Sequence, residues 1–277
     1  QHGKGRRGDE LPNELKRRED RLRKLREAKA ALEREAREKA AAKAAAAQQK
    51  QAEREREAAE TGGKPPGPAP RGPDPEQAVP EAKAQRNFTD PESRIMPDGA
   101  NKGSFVQGYN AQIAVDAEAQ VIVAAELTQS PNDARQLVPM AQAIVESVGK
   151  LAATTSADAG YFSAEAVEHS ALAGTNLLVP PDRLKHGTQP AQGSPDPSAS
   201  AAQRMRHKLA SSPARALYKM RKAVVEPVFG QIKEARGFRR LLLRGFAAAR
   251  AEFRLIAMTH NLLKLFRNGR KPAPLTA

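Results

Sequence analysis

Apolar positions are sparse in the first third of the chain and dense after about residue 108. From Leu11 to about Glu60 the spacing is helical. Leu15, Leu22, Leu25 and Leu32 form a thin apolar stripe, and Glu, Lys and Arg stand four residues apart elsewhere. After Ala36 the stripe fades into Ala, Gln, Lys and Glu, which predicts a solvated arm or half of a weak coiled coil rather than a core element. Thr61 to Arg86 has seven prolines between Pro65 and Pro80 and several glycines, the composition of a disordered linker with some polyproline II character.

A globular part is expected from Asn87 to about residue 270. Tyr109–Asp116 alternates and ends in β-formers, Val121–Thr128 is a second strand, and Asp116-Ala-Glu-Ala is the turn between them. Ser130-Pro-Asn-Asp133 predicts the cap of a helix running from Ala134 to about Val148, with Leu137, Met140, Ile144, Val145 and Val148 on its apolar face. Leu151–Ala157 reads as a short buried strand ending at Asp158, Ser163 as the cap of a helix to about Ala173, and Asn176–Val179 as a strand. The order of these strands and helices predicts an α/β domain, a mixed sheet with flanking helices. A loop rich in Gly, Pro and Ser covers 186–200. Helices follow over Ala201–Ala210, from Ser212-Pro213 onward, and from Phe246 to about Phe266. Pro227 predicts a kink or restart at Glu226, because proline removes a backbone donor and disfavours helix in the residue before it.

Charge adds a partner to this outline. The 277 residues carry a formal net charge of +14, and from Ala201 onward eighteen Lys and Arg stand against Glu226, Glu234 and Glu252. A polyanion, most simply nucleic acid, is the implied partner. There is no Cys, which excludes disulfides and thiolate metal sites, and no apolar run long enough for a membrane helix. A cytoplasmic protein, nucleoid-associated when bound to DNA, is expected.

Two acids stand out against this background. Asp158 closes a buried strand and is followed by an Ala-Gly turn, the kind of strand end that opens into a ligand crevice in α/β folds. Glu226 sits in a basic helix with Tyr218, Arg221 and Lys233. At about 100° per residue the four fall within roughly 140° of one face. Carboxylates converging from a strand end and a helix suit divalent cations in phosphoryl transfer. The plainer alternatives stay open: Asp158 as a turn former or cap, and Glu226 as an ion-pair partner of Arg221 or Lys222. Arg236, Arg239, Arg240 and Arg244 form a basic run that is either a solvated face or a contact to a DNA backbone.

The run Asp158-Ala-Gly-Tyr-Phe-Ser163, with Gly108–Asp116 before it and Tyr218, Arg221, Glu226 and Lys233 after it, resembles the DDE transposases of bacterial insertion sequences. The resemblance is strongest to the branch with a Tyr-Arg-Glu-Lys signature and an inserted charged helix. It extends to Arg244-Gly-Phe and Thr259-His-Asn-Leu. It implies a ribonuclease H-like fold, a triad of two Asp and one Glu holding Mg²⁺ or Mn²⁺, and DNA cleavage and strand transfer at transposon ends and target. A homo-oligomer is compatible with it. Asp158 matches the second acid and Glu226 the third, both as metal ligands. Tyr218, Arg221 and Lys233 match the signature residues that contact DNA, although four residues rather than three separate Arg221 from Glu226. The first acid is expected on a strand before the charged helix. Nothing before Leu11 reads as such a strand, and Asp116 and Asp133 sit at a hairpin turn and a helix start. The expectation is therefore an N-terminally truncated, inactive fragment, the alternative being a non-catalytic DNA-binding remnant.

Overall fold

In the computed structural model, residues 17–63, 67–98, 101, 103–182, 193–196 and 198–269 are described. The start of the expected Leu11–Glu60 helix, up to residue 16, and most of the expected 186–200 loop lie outside them. The chain divides into two compact units, residues 1–91 and 92–277.

The first unit is built on one long helix, α1 (Arg18–Thr61), which ends at Gly62 in the left-handed region with φ 72°. Ion pairs run along it from Arg23 to Asp20 and Glu27, from Lys29 to Glu33 and from Arg34 to Glu38. The leucine stripe is not what it buries: Leu22 and Leu25 are about half exposed, while Ala31, Ala40 and Ala58 are covered. The Pro/Gly-rich stretch read as a linker runs back along this helix. The Arg54 guanidinium donates to the Pro68 carbonyl at 3.0 Å, and Arg86 pairs with Glu35 at 2.6 Å. Gly72 lies so close that a Cβ there would stand 2.3 Å from the Ala44 Cα. Asp74 caps a 3₁₀ turn over Pro75–Gln77.

The second unit begins with a hairpin, β1 (Arg94–Pro97) and β2 (Phe105–Gly108), then a longer one, β3 (Asn110–Val115) and β4 (Ile122–Thr128), both antiparallel. The turn between β3 and β4 is where the sequence places it. The Asp116 carboxylate accepts from the Glu118 and Ala119 amides, and Gln120 takes φ 56°. Helix α2 (Leu137–Val148) leads to β5 (Thr154–Ser156), the short helix α3 (Ala164–Val167) and β6 (Asn176–Leu178), which runs parallel to β5. The single mixed sheet expected from the sequence appears as three two-stranded ladders. Helices α4 (Ala201–Ala210), α5 (Ser212–Gly230) and α6 (Phe246–Gly269) complete the unit. One core gathers Leu137, Leu172, Leu178, Val179 and Leu209 under α2 and α4; a second gathers Ile122, Val228, Ile232 and Ile256 between the longer hairpin, α5 and α6. No helix among the described residues is long and apolar enough to cross a membrane.

Two elements depart from the sequence reading. Helix α2 starts three residues later than expected, with Gln136 as its N-cap, because the Asp133 carboxylate is drawn to β3 instead of to the helix amides. Helix α5 continues without a restart through Pro227 and passes into a π turn over Gln231–Ala235. The carbonyl that Pro227 leaves without its helical donor is that of Ala223. The Gln120 side-chain amide donates to it at 3.1 Å. A partner from the hairpin turn thus replaces the missing bond, and the helix needs no restart.

Candidate functional site

Asp158 follows β5 directly. Its Oδ1 accepts from the Ala159 amide at 2.8 Å, capping a 3₁₀ turn over Ala159–Tyr161, and its side chain is 59% exposed. The same Oδ1 lies 3.4 Å from Arg221 Nη2. Arg221 comes from the middle of α5 and is largely covered. Its guanidinium carbon stands 5.5 Å from the centroid of the Tyr218 ring one turn earlier, and its Nε is buried without a hydrogen-bond partner. The Tyr218 phenol is within hydrogen-bonding reach of both Asp158 and Arg221, and burial pushes its pKa up. Arg221 thus pairs with Asp158 and not with Glu226.

Behind this cluster lies a polar network that the sequence reading missed. Asn110 and Gln112, two apart on one face of β3, both donate to Asp133 Oδ1 at 2.7 Å. Gln112 is 2% exposed and accepts from the Tyr161 hydroxyl. Burial, followed by the negative charges of Asp133 and Asp158, drives the Tyr161 pKa upward, so this phenol stays a proton donor. Gly160 lies against the network: a Cβ at that position would stand 3.4 Å from Asp133 Oδ2. The only signal for this arrangement in the sequence is the polar pair at i and i+2 in a strand otherwise built of apolar residues.

The remaining site residues spread along α5 and beyond. Glu226 is exposed and makes no hydrogen bond or ion pair among the described residues. Lys233 sits in the π turn, with its ammonium 5.5 Å from the Phe229 ring centroid. A five-residue turn advances the helix phase by less per residue than an α turn, so Lys233 does not keep the bearing that uniform α geometry gives it. Arg236 is bound into the fold. It donates to the Ile256 carbonyl at 3.1 Å and to the Thr259 hydroxyl, and its guanidinium lies 4.9 Å from the Phe238 ring centroid. Arg239 is exposed and pairs with Glu234, and Arg240 is exposed.

Thr259-His260-Asn261 has a structural role. Asn261 grips the edge of β4, accepting from the Ile122 amide and donating to the Ile122 carbonyl, each at 2.8 Å. His260 Nε2 donates to the Gln120 carbonyl at 3.1 Å, and Lys264 donates to Gln120 Oε1 at 2.9 Å. Burial lowers the His260 pKa more than its bond to Gln120 raises it; Lys264 and Arg236 push it down further.

For a divalent cation the donor set is short. Among the described residues no group of three or more His, Cys, Asp or Glu side chains could hold a metal ion. Asp158 and Glu226 do not by themselves complete a centre for Mg²⁺ or Mn²⁺.

Asp158 at the end of β5 thus meets Arg221 and Tyr218 of the basic helix α5 within a mixed α/β unit. The chain belongs to the transposase DDE domain family, whose model matches residues 75–262, more than half its length. No curated protein and no solved structure matches the chain.

Proposed function

We propose that this domain binds DNA and acts in the phosphodiester cleavage and strand transfer of transposition. The reading is carried by one observation: the Asp158 carboxylate and the Arg221 guanidinium meet 3.4 Å apart at the end of β5, with Tyr218 beside them. A phosphate entering here competes with Asp158 for Arg221. Guanidinium binds phosphate in the same forked geometry as carboxylate. Tyr218 donates to a phosphate oxygen, and Lys233, Arg239 and Arg240 supply further backbone contacts along the same basic stretch. Arg236 acts from behind, fixing the end of α5 against α6. In cleavage a water oxygen attacks phosphorus and the 3′ oxygen leaves; in joining, the freed 3′-hydroxyl attacks a target phosphodiester and the target's own 3′ oxygen leaves. Asp158 and Glu226 are the acids assigned to this step. Members of this family use divalent cations for it. In this reading the β3–β4 hairpin and the β5–β6 ladder belong to a ribonuclease H-like sheet.

A second reading, a DNA-binding module without cleavage, is kept because no third acid joins Asp158 and Glu226 in a metal-holding group among the described residues. One set of measurements separates the two. Affinity for labelled duplex DNA is measured against salt, where each lost phosphate contact lowers the slope of log K against log salt by about 0.9. Arg221→Ala, Lys233→Ala and Arg240→Ala are expected to lower it by about one contact each. Unchanged slopes would remove these residues from the interface. With Mg²⁺ or Mn²⁺ added, nicking by the parent chain that disappears in Asp158→Asn and Glu226→Gln supports the enzyme. Binding without nicking leaves the module.

A further inference from the structure

Between the π turn and α6 the chain passes through residues 238–244, bracketed by Gly237 and Gly245 with φ of 73° and 83°. Leu242 and Leu243 at its tip are 68% and 53% exposed, and Arg239, Arg240 and Arg244 around them are exposed as well. Leu241, next to the pair, packs inward against Ile256 and Phe253. The backbone of the tip is held by carboxylates. Both oxygens of Glu252 accept from the Leu242 amide at 2.9 Å, and Oε2 accepts from the Leu243 amide at 2.8 Å. Glu92 accepts from the Phe246 amide at 2.8 Å. Arg239 pairs with Glu234, whereas Arg240 and Arg244 have no ion pair among the described residues.

Arginines alone describe a surface for phosphates, which are polar and hydrated. Leucine side chains gain nothing against such a surface. On duplex DNA they find apolar surroundings only at the bases, and Leu is among the side chains that proteins insert between base steps while cations hold the flanking phosphates. Insertion works against base stacking, so the tip that performs it has to be stiff. Leu241 anchors this tip from within, and Glu252 ties up the two amides that carry the exposed leucines. An anionic lipid surface offers the same sign of charge, but membership of a transposase family favours DNA.

We infer that residues 238–244 form a wedge that unstacks duplex DNA. Arg240 and Arg244 hold phosphates, Arg239 leaves Glu234 to join them, and Leu242 or Leu243 enters between neighbouring base pairs. The wedge rests on the DNA reading above and adds to it a deformation of the duplex. A protein that works this way binds most tightly where stacking is already broken, because part of the cost of deformation is then absent.

The test uses the full chain, without added metal, and two labelled duplexes of equal length, one fully paired and one with a single unpaired adenine at its centre. The parent chain is expected to bind the bulged duplex at least about fivefold more tightly. Leu242→Ser combined with Leu243→Ser is expected to bring the two affinities within about twofold, with the salt dependence of paired-duplex binding as in the parent. Leu242→Met combined with Leu243→Met keeps the apolar bulk and is expected to retain the preference, which separates insertion from damage to the loop. Arg244→Ala is expected to weaken both duplexes alike and to lower the salt slope by about 0.9. Equal affinity of the parent chain for the two duplexes, or a preference that survives both serines, would overturn the wedge and leave the DNA reading standing. Binding to neither duplex would overturn both. Sedimentation with phosphatidylserine vesicles that the serine variant abolishes, beside equal affinity for the duplexes, would make the loop a membrane contact and overturn the wedge.

Discussion

His260 is fully buried, and as a neutral ring it uses its one N–H on the Gln120 carbonyl. Its Nδ1 is also buried and has no partner, so a second proton there would be an uncompensated charge close to Lys264 and Arg236. The folded pKa is therefore below the unfolded value of about 6.5. The sign follows directly. Above about pH 6.5 neither state binds the proton and the contribution of His260 to stability is intact. Below it the unfolded chain takes up a proton that the fold refuses, and stability falls with a limiting slope of about 1.4 kcal/mol per pH unit until the folded pKa is reached. Denaturant titrations between pH 5 and pH 8 are expected to show this loss in the parent chain and a flatter profile in His260→Gln. Equal profiles would assign the acid sensitivity elsewhere. The sequence marked His260 only as part of the Thr259-His-Asn-Leu run, and the structure gives it a structural bond. Asp133 was harder to read: its partners Asn110 and Gln112 lie 23 and 21 residues away, and the local pattern favoured a helix cap.

The strands of the longer hairpin could be read from alternation alone, because one face is packed against α6 and the turn chemistry of Asp116 is local. Helix α5 could not. Local rules break a helix at Pro227, and the bond that preserves it comes from Gln120, 103 residues from Ala223. This coupling can be measured. Gln120→Ala leaves the Ala223 carbonyl short of a donor and is expected to cost about 1–3 kcal/mol. In a Pro227→Ala background residue 227 supplies its own amide, and the same substitution is expected to cost at least 1 kcal/mol less. An additive double-mutant cycle in urea unfolding would mean that Gln120 and Pro227 do not share this carbonyl. In the first unit, Gly72 makes an equally specific demand. A Cβ 2.3 Å from the Ala44 Cα meets backbone that cannot step aside. Gly72→Val is therefore expected to lift the Pro-rich segment from α1 and speed its cleavage by a nonspecific protease at least tenfold, while Gly63→Ala, which meets nothing within 4 Å, leaves it unchanged. Composition alone suggested an unstructured linker here, since proline and glycine content says nothing of a surface of small residues waiting beside it.

Across the second unit, the family and the mixed α/β character were legible in the sequence, because short motifs at strand ends and in α5 carry them. The division of the strands into separate ladders was not, since alternation identifies strands and not which edges meet. Gln120 has a further consequence at this scale. Its carbonyl is held by His260, its amide reaches Ala223 and its Oε1 accepts from Lys264, so one residue at a hairpin turn ties β3–β4, α5 and α6 together. Asn261 adds a second tie to Ile122. Elements joined this way open and close as one body. Native-state hydrogen exchange in low denaturant should therefore place the amides of β4, of Val224–Phe229 excluding Pro227, and of Phe253–His260 on a single opening isotherm. The amides of β6 and α4, packed in the other core, are expected on another, and separate isotherms for β4 and α6 would show that the ties do not hold them together.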